Sequence, residues 1–101
     1  MMASTPVAEK SAATRRAYRS DFDHFAAWCS SAGREPLPAT VETVATYLAS
    51  LADSGLKAST VRKRCAAIAY MHRLKGLEPP TLDAAVKAVL RRIRRREVWS
   101  R

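Results

Sequence analysis

The sequence has few of the residues and patterns on which β-structure depends. It has only three glycines in 101 residues, its β-branched residues are scattered, and no segment alternates apolar and polar residues over the length of a strand. These absences exclude a sheet, and the abundance of alanine favours helix. Gly33, Gly55 and Gly76 each follow a helical pattern, where a left-handed C-terminal cap is expected. The sequence therefore predicts one compact all-α domain of four helices.

Long apolar runs are also absent. No run approaches the ~20 residues that a membrane span requires, and the first ten residues contain no signal-peptide core, so we expect a cytoplasmic protein without a membrane partner. Apolar residues nevertheless make up 48% of the chain, enough to bury one core. We predict a flexible lead-in at residues 1–10, the helical domain at residues 11–96, and the start of a linker or tail at residues 97–101.

Cysteine is scarce as well. Cys29 and Cys65 form no zinc-ligand pattern with the two histidines, His24 and His72. They are predicted to be small buried apolar residues, with a disulfide or a functional thiol as the alternatives. The sequence has no Gly-rich phosphate loop and no nucleophile–base arrangement with local support. Neither a cofactor nor an enzyme acting alone is therefore predicted.

Several polar and aromatic residues of the helices admit a structural interpretation. Asp21, Asp23 and His24 lie close in sequence but do not converge on one substrate atom, so they are assigned to a solvated face. His72 continues an apolar face and is predicted to be a packed histidine. Aromatic residues at core spacing in the first helix are predicted to pack rather than to stack on bases; these are Tyr18, Phe22, Phe25 and Trp28.

Apolar residues at helical spacing place the four helices at about residues 11–32, 40–54, 59–75 and from Thr81 onward. Pro36 and Pro38 keep the loop before the second helix out of helical conformation, and Thr40 and Thr81 are predicted N-caps. The residues predicted to face the core are Tyr18, Phe22, Phe25 and Cys29; Val41, Val44, Ala45, Leu48, Leu51 and Ala52; Val61, Cys65, Ile68 and His72; and Leu82, Val86, Val89, Leu90 and Ile93.

Acidic residues are half as numerous as basic ones. The net charge is +9 and the pI about 10.4, which indicates a polyanionic partner, either nucleic acid or an anionic membrane surface. The second helix has Glu42 and Asp53 but no cation, whereas residues 57–75 have no acid. Because charge that only confers solubility would mix the signs, this one-sided distribution favours a DNA-binding surface. The cations fall at Arg15, Arg16 and Arg19; at Lys57, Arg62, Lys63, Arg64, Arg73 and Lys75; and at Arg91, Arg92, Arg94, Arg95 and Arg96.

The start of the third helix carries the sharpest local signal. Residues 59–64 place hydroxyls and cations on its first turns, and because Val61 and Cys65 face the core, Arg62 and Lys63 project outward. A helix N-terminus also offers free amide N–H groups to a phosphate, and arginine pairs with phosphate or with guanine. The alternative is a solvated basic face without a ligand.

The arginine run at residues 91–96 has two interpretations. Leu90 and Ile93 keep the helical period through it, so it is predicted to extend the fourth helix. Its arginines either complement the helix dipole or follow a phosphate backbone, and the two roles are compatible.

Several stretches resemble a known family in their order and spacing. They are Thr14-Arg15-Arg16-Ala17-Tyr18 with Phe22, Phe25 and Ala26-Ala27-Trp28-Cys29; Leu37-Pro38-Ala39 with Val44-Ala45-Thr46-Tyr47-Leu48 and Gly55-Leu56; Ser59-Thr60-Val61-Arg62 with Ala67-Ile68, His72, Gly76-Leu77 and Pro79; and Val89-Leu90-Arg91-Arg92-Ile93-Arg94-Arg95. Over about residues 10 to 98, the chain resembles the N-terminal core-binding domain of tyrosine recombinases, also called the phage-integrase SAM-like domain. The resemblance implies a SAM-like orthogonal bundle.

The family closes on DNA as a C-shaped clamp. The resemblance therefore implies binding of double-stranded DNA at a recombination half-site, self-association with other recombinase subunits on DNA, and a bacterial, phage or mobile-element origin. The first and third helices would cross near the major groove. By position, the resemblance places contacts on Thr14, Arg15, Arg16, Ala17, Ser59, Thr60, Arg62, Lys63 and Arg64, and the charge pattern adds Arg19, Lys57, Arg94 and Arg95.

The family's catalytic domain carries arginines, a lysine, histidines and a nucleophilic tyrosine, and it would begin beyond residue 101. Tyr18, Tyr47 and Tyr70 match no catalytic motif. The chain is therefore predicted to be a non-catalytic part of a site-specific recombinase or integrase: an excised domain, a truncated product or a regulatory fragment. The alternative is a helical protein–protein module whose basic face meets an acidic partner.

Overall fold

The computed structural model describes residues 11–99 of the chain. Within them the chain forms four α-helices, one 3₁₀ turn and no strand, so the all-α prediction is confirmed. The lead-in predicted for residues 1–10 lies outside the described residues, and so do residues 100–101. No helix in the described part is both long and apolar enough to cross a membrane. The elements are α1 (Ala12–Ala32), α2 (Val41–Asp53), α3 (Ala58–Leu74), the 3₁₀ turn (Pro80–Leu82) and α4 (Ala84–Trp99).

Local capping interactions fix the ends of α1 and α2. The Ser11 hydroxyl accepts a hydrogen bond from the Thr14 N–H, and the Thr40 hydroxyl accepts one from the Thr43 N–H, each at 3.1 Å. After α1, Gly33 has a φ of 70°, a conformation that costs other residues about 1–2 kcal/mol. The predicted Thr40 cap and glycine cap are confirmed, because both depend only on residues adjacent in sequence.

The start of α4 differs from the prediction, which made Thr81 its N-cap. Pro80, with its fixed φ and no N–H, begins the 3₁₀ turn Pro80–Leu82, and the helix follows only after that turn. The Asp83 carboxylate caps α4 by accepting a hydrogen bond from the Ala85 N–H at 2.8 Å, whereas Thr81 is buried. Because Leu82 precedes the helix, it does not share the inward face predicted for it and is 50% exposed.

The core lies where the four helices meet, with α1 packed chiefly on α3 and α2 chiefly on α4. The predicted inward residues of α1 and α3 are buried or half-buried. The prediction for α2 omitted Tyr47, which is fully buried and packs its ring 4.8 Å from the Phe25 ring and 5.4 Å from the Trp28 ring. The aromatic residues of α1 therefore pack within the bundle, as predicted.

His72 is fully buried and uses both ring nitrogens. Its Nε2 accepts a hydrogen bond from the Ala39 N–H at 3.0 Å, so Nδ1 carries the proton and donates to the Ile68 carbonyl at 2.8 Å. The prediction of a packed histidine is confirmed. This side chain ties the loop before α2 to the C-terminal half of α3.

Replacing His72 with alanine is expected to lower the free energy of unfolding by about 2–4 kcal/mol, because the buried Ala39 N–H loses its acceptor and a cavity opens. Urea denaturation followed by circular dichroism at neutral pH measures this change. The matched control is Arg73→Ala at the exposed neighbouring position, expected to stay within about 0.5 kcal/mol of the wild type. Similar losses in the two variants would contradict the structural role of His72.

Cys29 and Cys65 are buried free thiols, as predicted. Burial raises the pKa of both, and that of Cys65 reaches about 11. Near Cys29, the Arg34 charge lowers the pKa and so offsets part of the effect of burial. Because the thiolate is the reactive form, both side chains are unreactive near neutral pH in the folded protein.

An aromatic disulfide reagent added at about pH 8 is accordingly expected to modify the folded chain only as fast as the chain unfolds. In urea, the same reagent should modify both cysteines rapidly. Rapid modification of either thiol under native conditions would show that the helices do not protect it.

Candidate nucleic-acid interface

α1 and α3 lie side by side and run in opposite directions. Tyr18 of α1 packs on Tyr70 of α3, with ring centroids 4.8 Å apart. Asp21 follows Tyr18 on α1, but its partner Arg64, at 3.5 Å, precedes Tyr70 on α3. The basic first turns of α1 therefore lie beside the C-terminal half of α3. The two basic helix starts consequently lie at opposite ends of the pair.

A groove of about 350 Å³ lies between the first turns of α1 and the C-terminal half of α3. Three of the arginines predicted for DNA contact converge there, because positions three and four apart share one side of a helix. No described acidic side chain lines it. Cations around a partly apolar groove raise the local positive potential and so attract an anion. The lining residues are Ala12, Arg15, Arg16, Arg19, Tyr70 and Met71.

The outer face of α3 continues this surface. Lys63 and Tyr70 are seven positions apart and so lie nearly on one line of the helix, about 10 Å apart along its axis. Lys63, Arg62 and Ser59 are exposed, which confirms that the first two project outward. We name Arg15, Arg16, Arg19, Arg62 and Lys63 together the α1–α3 basic surface.

Other residues predicted for DNA contact are placed differently. Thr14 is half-buried, and its hydroxyl accepts a hydrogen bond from the Ser11 hydroxyl at 2.9 Å. Thr14 and Ala17 are absent from the groove lining, because helical spacing turns them to another side of α1. Thr60 is half-buried, and Lys57 is exposed immediately before α3.

Arg64 does not extend outward beside Lys63, and its side chain is only 20% exposed. Its Nη1 lies 2.8 Å from His24 Nδ1 and 3.1 Å from Tyr47 Oη, while its Nε lies 3.5 Å from an Asp21 carboxylate oxygen. We name these four residues, Asp21, His24, Tyr47 and Arg64, the Arg64 cluster. Burial raises the Tyr47 pKa, and the hydrogen bond from Arg64 offsets part of that increase.

Asp21 is half-buried, which corrects its assignment to a solvated face, whereas His24 is exposed as that assignment implies. Both contact residues of other helices, and Asp23 alone of the three stays outside the cluster. Asp21 and His24 are three positions apart and thus lie on one side of α1, next to half-buried Trp28. That spacing was a signal for an interhelical role, but it did not identify the partner helices.

The N-terminus of α3 is also occupied from within the chain. α3 begins at Ala58, and the Lys57 side chain does not cap it. Instead the Glu97 carboxylate of α4 accepts a hydrogen bond from the Ala58 N–H at 2.9 Å. The expectation of freely available amide groups at this end is therefore wrong for Ala58, because a distant carboxylate provides the cap.

Replacing Glu97 with alanine is expected to lower the free energy of unfolding by about 1 kcal/mol, the usual effect of losing a helix cap. Glu97→Gln keeps an acceptor oxygen but loses the charge next to the helix dipole, so we expect a smaller loss. Thermal and urea denaturation measure both variants against the wild type. Equal stability of all three proteins would contradict this capping role.

The arginine run lies in α4, as the periodicity predicts, but the helix continues to Trp99, so residues 97–99 belong to α4 and not to the linker or tail predicted for residues 97–101. Arg96 pairs with Asp53 at the C-terminus of α2 at 3.6 Å. Arg94 and Arg95 are exposed; Arg94 is three positions from Glu97 and so lies on the side near the α3 N-terminus. Among the described residues α4 contacts α2 and α3 but not α1, so the run is separate from the groove.

Four helices with this order and packing define a SAM-like helical domain. The family model described as phage integrase, N-terminal SAM-like domain, matches residues 7–78. The chain belongs to this family, as the resemblance predicted.

Two relatives are bacterial and phage proteins. The chain is 40% identical over 92 residues to an integrase/recombinase XerD homolog of Selenomonas ruminantium, which covers 86% of this chain and 27% of that protein. It is 38% identical over 74 residues to recombinase Cre of Escherichia phage P1, which covers 73% of this chain and 22% of that protein. The chain thus spans about a quarter of the length of the curated relatives it matches.

Proposed function

We propose that this chain binds double-stranded DNA through the α1–α3 basic surface, as the core-binding domain of a site-specific tyrosine recombinase or integrase. The observation that carries the proposal is the convergence of Arg15, Arg16 and Arg19 on one groove, in line with Lys63 on the neighbouring helix. Membership of the integrase family supports it independently.

The spacing of the two groups of cations suits a duplex. The groove beside Tyr70 and the exposed Lys63 lie about 10 Å apart along α3, and the DNA major groove is about 12 Å wide. Cations at this separation can contact phosphates on both sides of the groove. The start of α3 next to Lys63 is then directed at the major groove, where Ser59 and Arg62 supply donors to phosphates or base edges.

The α1–α3 basic surface forms the centre of the proposed contact set, and the other residues predicted for DNA contact lie around it or apart from it. Lys57, Thr60 and Arg94 lie around the N-terminus of α3 and extend the surface there. Thr14 and Ala17 lie on another side of α1, and Arg64 is held in its cluster, so DNA contacts by these three rest on the resemblance. Arg95 lies on α4, and its contact rests on charge.

We further propose that the chain by itself binds DNA without cleaving it, and that it associates with other recombinase subunits on a recombination half-site. Its three described tyrosines support the first part. Tyr47 is fully buried, Tyr70 is 5% exposed, and Tyr18 packs against Tyr70, so all three contribute to the bundle. The relatives are recombinases of which this chain spans only about a quarter, which supports the second part.

Fluorescence anisotropy with a labelled duplex tests the proposal. If about five phosphates are contacted, the logarithm of the association constant should fall with the logarithm of salt concentration at a slope near −4 to −5. Arg16→Ala, Arg62→Ala and Lys63→Ala should each weaken binding roughly three- to tenfold and reduce the slope by about one, because each removes a phosphate-range cation.

Lys87→Ala is the matched control, since it removes one exposed cation from α4, away from the groove. It should leave affinity within about twofold, a small change against one lost phosphate contact. Undetectable duplex binding at low salt would overturn the proposal, and so would equal losses in all four variants. Capture of an acidic protein after nuclease treatment, with no duplex binding, would favour the protein–protein alternative.

A further inference from the structure

The Arg64 cluster bears on which cations the basic surface can present to DNA. We propose that His24 is a positioning residue: in its neutral form it holds Arg64 inside the cluster, and its protonation releases Arg64 to contact DNA. This inference rests on the DNA binding proposed above. It assigns Arg64 two positions, one between the helices and one beside Lys63.

The hydrogen-bond geometry fixes the protonation state in which the cluster forms. A guanidinium can only donate, and Arg64 Nη1 lies 2.8 Å from His24 Nδ1, so Nδ1 carries no proton and the imidazole is neutral. Tyr47 Oη lies 2.8 Å from the same nitrogen and 3.1 Å from Arg64 Nη1. The Tyr47 hydroxyl and the Arg64 N–H therefore share the single lone pair of Nδ1 as donors, while the Tyr47 oxygen accepts from Arg64.

Protonation of His24 removes the acceptor that Arg64 uses. A proton on Nδ1 can donate to Tyr47 Oη, which preserves that contact in the reverse direction, but it faces the Arg64 N–H group donor to donor. Two cations then lie within hydrogen-bond distance. The charged groups around them are Asp21, on the same helix and 3.5 Å from Arg64, and exposed Asp23. One adjacent carboxylate cannot neutralise both cations, so Arg64 leaves.

Arg64 has a short path to the surface. Its side chain is already 20% exposed and follows exposed Lys63 on the first turns of α3. Histidine side chains change charge between about pH 5 and pH 8. On the alkaline side of this range Arg64 stays in the cluster, and on the acidic side it joins the cations available to DNA. Affinity for DNA therefore gains an Arg64 contribution as the pH falls.

Duplex binding by the full chain tests this at about pH 8 and about pH 5.5, on either side of the histidine range. At the lower pH, Arg64→Ala should weaken binding roughly tenfold, the effect of one charged hydrogen bond, and reduce the salt slope by about one. At the higher pH it should change neither quantity by more than about twofold.

His24→Asn is the conservative control, because its amide oxygen accepts a hydrogen bond from Arg64 at either pH. In that background Arg64→Ala should have no effect on DNA binding at either pH. His72 is the other histidine of the chain and is retained in all variants, so its contribution is common to all of them. Circular dichroism at both pH values confirms that the variants are folded.

Nuclear magnetic resonance of the DNA-free chain provides a separate measurement. Cross-peaks between the Arg64 side chain and the Tyr47 ring should be present in the wild type at about pH 8 and absent at about pH 5.5, and they should persist at both pH values in His24→Asn. Persistence in the wild type at both pH values would overturn the release. Loss of the cross-peaks with equal effects of Arg64→Ala at both pH values would overturn the role in DNA binding. Loss of the cross-peaks without any duplex binding would leave the release standing and contradict the proposed function.

Discussion

The antiparallel packing of α1 against α3 decides which cations share a surface. Each helix begins with several basic residues, and a parallel pair would bring the two starts together and concentrate their repulsion. In the antiparallel pair, the Tyr18–Tyr70 contact sets the α1 arginines beside the apolar and aromatic C-terminal half of α3 instead. Arg62 and Lys63 lie on the first turns of α3, further along that helix from the α1 arginines. Packing thus converts two dense charge clusters into one extended surface.

Buried polar groups then fix how the other elements meet this pair. His72 joins the loop before α2 to α3, and Tyr47 contacts groups from α1 and α3. Among the described residues, no buried side-chain nitrogen or oxygen lacks a hydrogen-bond partner. A polar group taken out of water stabilises the fold only when it is paired, so few alternative registers of the helices would satisfy these two side chains. The surface therefore depends on contacts beneath it.

The sequence was sufficient for features that depend on neighbouring residues. Helical periodicity identified the four helices and most of their inward faces, and glycine identified the end of α1. The start of α4 was placed wrongly because Thr81 and Asp83 are both acceptable caps, and only the turn made by Pro80 decides between them. Contacts between residues far apart in the sequence left no comparable pattern in it.

Two of these distant contacts changed the site itself. Arg64 meets His24 across 40 residues of sequence, and Glu97 reaches the Ala58 N–H across 39. A charge pattern counts Arg64 as an outward cation and the α3 start as open, because it contains no information about which helix lies alongside. Only the packed structure shows that one cation and one amide are already engaged.

The location of the acidic residues defines the basic surface as much as the location of the arginines. None of the nine acids lies in α3, and none of the acids in residues 11–99 lines the groove. Asp21, Asp53 and Glu97 instead lie where helices meet and engage Arg64, Arg96 and the start of α3. The exposed Asp53–Arg96 pair adds little stability, about 0.2–1 kcal/mol at most, so its larger effect is on the potential. It neutralises one arginine of the α4 run, whereas no described acidic side chain lines the groove, and this makes the α1–α3 side the more positive.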